Sequence, residues 1–355
     1  MATRNSSYDI VIVGAGVAGC ALAHGLATIT APAQNRQLKI ALLERSLAEP
    51  DRIVGELLQP GGCMALRKLG MSGCLDDIGA VPVRGYCVLH EGREVHIPYP
   101  NGHEGRSFHH GRFIMALRAK ARAAPGVEVI EATVSELVKC DVTGRIVGAR
   151  ATRKGSGSSS GSESDSGEKE DFLAKLVIVA DGCFSNFRAE VMSEAFEKPL
   201  TRSYFLGTIL KDVKLPVDKH GTVALVKDSG PVLLYQIAEH DTRILIDVKA
   251  PLPADLKVRT ELLYGYIFLS PCRLSFLRKW CRSFHLPYML HSRQLSKRTD
   301  FAECPIHSFP LSSKAASRPK RVLYLLVMHG TCDILSRVVR TFGFDGEIYR
   351  GTYYL

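Results

Sequence analysis

Tyr8-Asp-Ile-Val-Ile-Val-Gly14-Ala-Gly16-Val-Ala-Gly19 is a short apolar run that enters a G-x-G-x-x-G turn. Without side chains at Gly14, Gly16 and Gly19 the backbone can turn tightly and approach a pyrophosphate at a helix N-terminus, where exposed N–H groups favour negative charge. Cys20 to Ala27 reads as a small-residue helix, and Lys39 to Leu43 as a second buried strand that ends at Glu44, placed to accept ribose hydroxyls. Strand, glycine turn, helix, strand and acid, in that order, predict a Rossmann-like α/β unit with an enlarged loop near Ala31 to Gln37. A chance glycine turn is the bland alternative, and the flanking strand and Glu44 speak against it. The pattern does not separate FAD from NAD.

At 355 residues and 46% hydrophobic, the chain can bury a large core. Its net charge of +10 invites a nucleic-acid reading, but residues 259–355 hold 15 Lys/Arg against 6 Asp/Glu, leaving +1 elsewhere. With no basic run interleaved with aromatics, no nucleic-acid partner is expected. The ten cysteines form no CxxC pair, so neither a zinc site nor a disulfide framework is expected, and Cys20, Cys63 and Cys183 read as small packed residues. No cleavable leader and no apolar run long enough to span a bilayer is read, so membrane contact is expected to be peripheral.

Further along, residues 83–99 read as paired strands over a ligand, and Gly155 to Asp171, nearly all Ser, Gly and acid, as a disordered insertion. Phe172 to Ala180 is another buried strand, entering Asp181-Gly182; any Asp-Gly can make an ordinary turn, but here it follows a Rossmann unit. Tyr204 to Val248 alternates in the manner of an antiparallel sheet, within which Leu233, Leu234, Tyr235 and Ile237 wall an apolar pocket or simply pack. Arg52 and Gly55-Glu-Leu-Leu-Gln-Pro-Gly-Gly62 mix leucines, proline and glycines in a way that suits close backbone approach to a flavin. Ser107-Phe-His-His-Gly-Arg-Phe113 carries a histidine pair without the carboxylate or thiol neighbours a metal needs, so no metal ligands are assigned.

From Tyr8 to Lys257 the chain resembles the squalene monooxygenases (squalene epoxidases), in their fungal form. The likeness rests on Asp51 to Gly62, Ile97-Pro-Tyr-Pro100, His109 to Arg112, Asp181-Gly182, Leu210-Lys-Asp212 and Asp241 to Asp247, in that order. The resemblance implies a glutathione-reductase-type, FAD-binding Rossmann-like domain (residues 1–82 and 105–200) with an antiparallel-sheet substrate region (83–104 and 201–257). It implies that Gly14, Gly16, Gly19, Glu44, Arg45, Arg52, Arg112, Val129, Asp181 and Gly182 contact FAD, and that Tyr86 stands near the substrate and flavin. It further implies epoxidation of squalene by O₂ in sterol biosynthesis, with NADPH electrons delivered by a separate cytochrome reductase at the cytosolic face of the endoplasmic reticulum membrane, the microsomal fraction. Because such a cofactor carries the hard chemistry, the protein's task is an apolar, water-excluding pocket with few titratable groups.

Beyond Lys257 the family's Met-Pro-Asn-Ser string and its Gly-Asp motif with a glycine-rich turn are missing, and residues 258–355 read as a non-family tail. Joining the last base of each codon to the first two of the next makes Glu303 to Pro310 compatible with M-P-N-S-F-L-P. The same shift makes Leu325 to Val339 compatible with L-G-D-A-W-N-M-R-H-P-L-T-G-G, which places a frame change between about Lys257 and Glu303. The tail's apolar stretches, Leu262 to Leu269 and Val322 to Met328, are then expected to lack native partners. A chain without the second flavin motif is expected to retain FAD weakly and to lack epoxidase activity; another Rossmann oxidoreductase is the remaining alternative.

Overall fold

Strand β1 (Arg4–Val13) is apolar on successive residues, and it is covered on both faces. Ile10 and Ile12 enter one buried cluster and Val11 and Val13 a second. Ile40 and Leu42 against Ala41 and Leu43 in β2 (Ile40–Glu44) divide in the same way, as expected of parallel strands inside an α/β layer. The computed structural model describes residues 4–30, 36–90, 93–154, 169–192, 200–225, 230–249, 251, 302–308 and 322–324.

The helices that position the site are α1 (Val17–Gly25), α2 (Pro60–Lys68) and α3 (His110–Arg122); a short α4 spans Arg188–Met192. Ala18, Cys20 to Ala23, Phe113, Ile114, Leu117 and Ala121 place α1 and α3 on the first cluster, against Ile10, Ile12, Ile40 and Leu42. Strands β3 (Leu57–Leu58), β7 (Gly105–Ser107) and β4 (Val81–Val83) form a small sheet in that order. Around β1, parallel pairing continues through β2 to β8 (Val127–Lys139), and antiparallel pairing returns through β9 (Ile146–Arg153) to β10 (Lys169–Val179). β10 pairs parallel with β1, which closes the ring, and β16 (Val322–Tyr324) adds to β10 at Val177 to Val179.

The other large sheet runs in the order β15 (Ala302–Ser308), β11 (Leu200–Lys211), β14 (Asp241–Lys249), β13 (Val232–Gln236), β12 (His220–Leu225), β5 (Gly85–His90), β6 (Arg93–Pro98). It departs from the antiparallel expectation at one seam, where β12 runs parallel to β5. The β5–β6 hairpin arrives from the first part of the chain and docks beside a strand far downstream, so no turn dictates its direction.

Several expected boundaries shift. The first helix begins at Val17 rather than Cys20 and passes at Leu26 into a π-helical turn to Thr30. Lys169 to Asp171, assigned to a disordered insertion, belong to β10; Asp171 is buried and takes a two-pronged ion pair from Arg150 at 2.6 and 2.8 Å. Residues 155–168 lie outside the described residues. The tail is not partnerless throughout: residues 302–308 and 322–324 are strands of the two large sheets, while Leu262 to Leu269 lie outside the described residues.

A methyl group at Gly19 would stand 1.9 Å from the carbonyl oxygen of Gly14, whereas one at Gly16 meets nothing within 4 Å. Gly19→Ala is therefore expected to cost about 1–3 kcal/mol or more through forced backbone movement, and Gly16→Ala to leave stability nearly unchanged. Denaturant midpoints of the two variants check this; equal midpoints would remove the close-packing argument.

Candidate functional site

The turn between β1 and α1 is held from three sides. Gly14 has φ +104°, and a side chain there would collide with the carbonyl of Ala180, 2.5 Å away, and with Asp181 Cα at 2.8 Å. The glycine turn and the Asp181-Gly182 turn thus lie back to back. From α3, the buried guanidinium of Arg118 donates to the carbonyls of Ala15 and Ala48, both at 3.0 Å, and pairs with Glu44 at 3.5 Å. Glu44, expected to face ribose hydroxyls, also accepts the Ala15 N–H at 2.9 Å and the Ser46 N–H at 3.3 Å, so it shapes the turn that it flanks.

Open space remains where a dinucleotide would need it. Gly16 caps the N-terminus of α1 with no atom within reach of a Cβ, and the same is true of Gly182 at φ +85°. Oδ1 of Asp181 is buried and finds no hydrogen-bond partner among the described residues; burial raises the pKa of this carboxyl. A buried acceptor left unpaired costs about 1–3 kcal/mol, so it marks where a donor is to be supplied. Arg52, exposed, reaches Cys183 Sγ at 3.8 Å and stands over the same turn.

Arg45 is exposed beside Glu44, and Val129 lies on β8 in register with Leu42. Arg112 is exposed on α3 and donates to the Ile78 carbonyl at 3.4 Å, close to Gly79. The structure therefore gathers Gly14, Gly16, Gly19, Glu44, Asp181, Gly182 and Arg52, while Arg112 stands on α3 one residue beyond Gly111, which lines the cavity shared with Arg52.

The segment after Arg52 is fixed by a buried ion pair that sequence reading missed. Glu56 and Arg243 meet through two hydrogen bonds of 2.9 and 2.7 Å, with side chains 0% and 5% exposed. Tyr235 donates to the same carboxylate at 3.1 Å, a polar anchor that its apolar neighbourhood in the sequence does not announce. Leu234 and Ile237 are fully buried. Burial pushes the Glu56 carboxyl upward, and Arg243 and Tyr235 pull it back. Ser107 Oγ and the Phe108 N–H both donate to the Glu56 carbonyl, at 2.9 and 2.8 Å. One residue thus binds the loop to β7, β13 and β14.

Beside this pair lies a cavity of about 260 Å³ lined by Arg52, Glu56, His109, His110, Ile209 and Arg243 among others. Its lining mixes charged groups with the apolar side chain of Ile209. His110 donates from Nδ1 to the Gly55 carbonyl at 3.1 Å, and burial lowers its pKa, which keeps the ring neutral. His109 pairs with Asp241 at 3.0 Å, and Lys211 caps the other carboxylate oxygen. At the far end of the same loop, Gln59 donates its amide N–H to the hydroxyl of Tyr86, whose ring stacks edge-on with Tyr99 at 5.9 Å.

Residues 173–266 match the family model of squalene epoxidase. The chain is 44% identical over 260 residues to squalene epoxidase erg1 of Aspergillus fumigatus, covering 71% of this chain and 49% of that protein. It is 39% identical over 261 residues to squalene epoxidase ERG1 of Gibberella zeae, and 36% identical over 301 residues to squalene monooxygenase of Rattus norvegicus. In the Gibberella match 68% of this chain and 49% of that protein are covered, and in the rat match 80% and 48%. The chain spans about half the length of the curated relatives it matches. Among solved structures, Pseudomonas aeruginosa PqsL, a probable FAD-dependent monooxygenase, aligns with a TM-score of 0.58 at 15% identity, covering 90% of this chain and 78% of that one. The myxobacterial FAD-dependent halogenase CndH aligns with a TM-score of 0.57 at 18% identity, covering 74% and 57%. The chain is similar to squalene epoxidases in sequence, and its fold is that of the flavoprotein monooxygenases.

Removing one member of a buried ion pair leaves the other charge unpaired, so Glu56→Ala is expected to cost about 3–5 kcal/mol, and Glu56→Leu with Arg243→Met much less. Urea unfolding of the variants checks the order; a single-variant cost below about 1 kcal/mol would contradict it. Asp241 is pushed up by burial, but Lys211 and His109 outweigh this and hold its pKa below the usual carboxylate value. Its contribution is therefore present at neutral pH and lost as pH falls through the lowered pKa. Asp241→Asn should flatten the acid limb of the stability curve, read as urea midpoints from neutral pH down to about pH 3.

Proposed function

We propose that this chain is an FAD-dependent monooxygenase of the squalene epoxidase type, which converts squalene and O₂ to (S)-2,3-epoxysqualene in sterol biosynthesis. Its electrons come from NADPH through a separate cytochrome reductase, at the cytosolic face of the endoplasmic reticulum membrane. The observation that carries the reading is the double turn, in which Gly14 packs on Ala180-Asp181 while Gly16, Gly182 and Asp181 Oδ1 are left open. Similarity to the fungal and rat proteins supports the substrate. No helix among the described residues is long and apolar enough to cross a membrane.

The residues present fit the cofactor. Gly14, Gly16, Gly19 and the N-terminus of α1 would hold the pyrophosphate, Glu44 the ribose, and Asp181 with Gly182 and Arg52 the flavin side. When bound, FAD supplies reduction of O₂ and transfer of one oxygen atom to the alkene, the other leaving as water. The chain's own work is positional. Glu56 and Arg243 fix the loop from Arg52 to Gln59 against the substrate sheet, and Gln59 orients the hydroxyl of Tyr86. The cavity beside Glu56 is assigned to the flavin side of the site because Arg52 is among the residues that line it.

Titration of the full chain with FAD, followed by flavin fluorescence, is expected to give saturable binding that Gly16→Ala weakens at least about tenfold while stability is kept, since a Cβ there fills the pyrophosphate's space. Absence of FAD binding would overturn the reading. Against the loss of activity expected from the missing second motif, similarity to the fungal and rat proteins favours an active enzyme: with NADPH, reductase and squalene, epoxide should form, and Tyr86→Phe should slow it by about tenfold, the worth of one hydrogen bond. Binding without epoxide would instead favour a flavin-binding remnant that lacks the second glycine motif.

A further inference from the structure

On the face of the substrate sheet opposite Tyr86, the edge hairpin carries a second cluster that the flavin chemistry does not use. Cys87 on β5, and Glu94 and His96 on β6, place a thiol, a carboxylate oxygen and a ring nitrogen all within 4.8 Å of one another. Cys87 and His96 are direct cross-strand partners, with Glu94 two residues along the same face. Parallel β12 brings His220 beside Gly85 and Thr222 beside Cys87. The rings of His96 and His220 lie 6.5 Å apart between centroids. Gly85 leaves room for His220, since a side chain there would come within 3.1 Å of its ring.

We propose that Cys87, Glu94, His96 and His220 form a binding site for a divalent transition metal of the Zn²⁺ class. Thiolate, imidazole and carboxylate are the ligand types that such an ion takes, and four of them make a closed tetrahedral site. At Zn–N of about 2.0 Å and Zn–S of about 2.3 Å, ligand atoms stand roughly 3.3–3.8 Å apart, so Cys87, Glu94 and His96 close by about 1 Å once the ion replaces the 2.5 Å contact of His96 Nε2 with Glu94, and a turn of the neighbouring His220 ring supplies the fourth ligand. Two further observations point to an ion. His220 donates from Nδ1 to the Asp218 carbonyl at 2.7 Å, which leaves Nε2 with its lone pair and supplies the outer partner that metal-bound imidazoles use. Thr222, 1% exposed, has a hydroxyl with no hydrogen-bond partner among the described residues, next to Cys87 in register, where it can donate to a bound thiolate. Binding releases the Cys87 proton to solvent and forms a metal–sulfur bond, without oxidation. The ion would staple the exposed strand β6 to β5 and β12, and its effect is on stability rather than on turnover.

The test uses the full chain, stripped with a chelator and titrated with Co²⁺ and Zn²⁺ alone. One equivalent of Co²⁺ should produce a thiolate-to-metal charge-transfer band that Zn²⁺ abolishes, and Zn²⁺ should raise the thermal midpoint. Cys87→Ser should remove the band, and His96→Gln and His220→Gln should each weaken Zn²⁺ binding at least tenfold. His96 is on the exposed edge strand, so His96→Gln tests the site even if Cys87→Ser fails to fold. No charge-transfer band, or Zn²⁺ affinity unchanged in His96→Gln and His220→Gln, would overturn the proposal by assigning any uptake to other histidines and cysteines.

Discussion

The ion pair of Glu56 and Arg243 is the constraint on which the arrangement of the two large sheets depends. Both side chains are essentially dry, and a dry charge is tolerated when its partner offers matched donors at the right distance. The guanidinium does so with two bonds, and Tyr235 completes the carboxylate. Arg243 and Tyr235 sit on strands of the substrate sheet, whereas Glu56 follows the strand that ends the first nucleotide-binding unit. A loop that would otherwise be free to drift is thereby held at fixed distance from both turns. The pair adds little net stability over an apolar substitute; what it supplies is register between the two layers, because no apolar contact is so intolerant of displacement.

That division explains what could be read from the sequence. β1, the glycine turn, β2 and the strand entering Asp181 were legible because their signals are local: apolar residues in succession, glycine where a Cβ would collide, acid at a strand end. The 1.9 Å separation at Gly19 is a steric fact already implicit in the motif. Glu56 and Arg243 are 187 residues apart, and nothing in either neighbourhood announces the other. Arg118 escaped notice for the same reason: on α3 it reads as an ordinary helical cation, and only the fold turns it toward Ala15 and Glu44. Tyr235 fitted an apolar pattern, and its hydroxyl decided its role. The parallel seam of β12 and β5 was invisible because strand direction there follows from docking and not from a turn.

Two short strands beyond residue 300 show how little the extension of a sheet asks of a sequence. Strands β15 and β16 pair with β11 and β10 through backbone hydrogen bonds, which every residue but proline can donate, so the demand on side chains is modest. Val322-Leu-Tyr324 meets it by being short and apolar. A phosphate-binding or flavin-binding turn makes a stricter demand, since glycine has to stand wherever the backbone must approach the ligand or adopt positive φ.

It follows that sheet integrity and cofactor retention are separable in this chain. The sheets rest on β1, β2, β10 and the Glu56 pair, all with their partners in place. Cofactor affinity would rest on the turns at Gly14 to Gly19 and at Asp181-Gly182, which pack back to back. At the glycine turn Arg118 holds the Ala15 carbonyl and Glu44 accepts the Ala15 N–H, so the backbone there is fixed in advance and little ordering cost is left to binding at that end. The flavin end asks more of the chain, because there the contacts would come from side chains such as Arg52, which is exposed and must be ordered on binding.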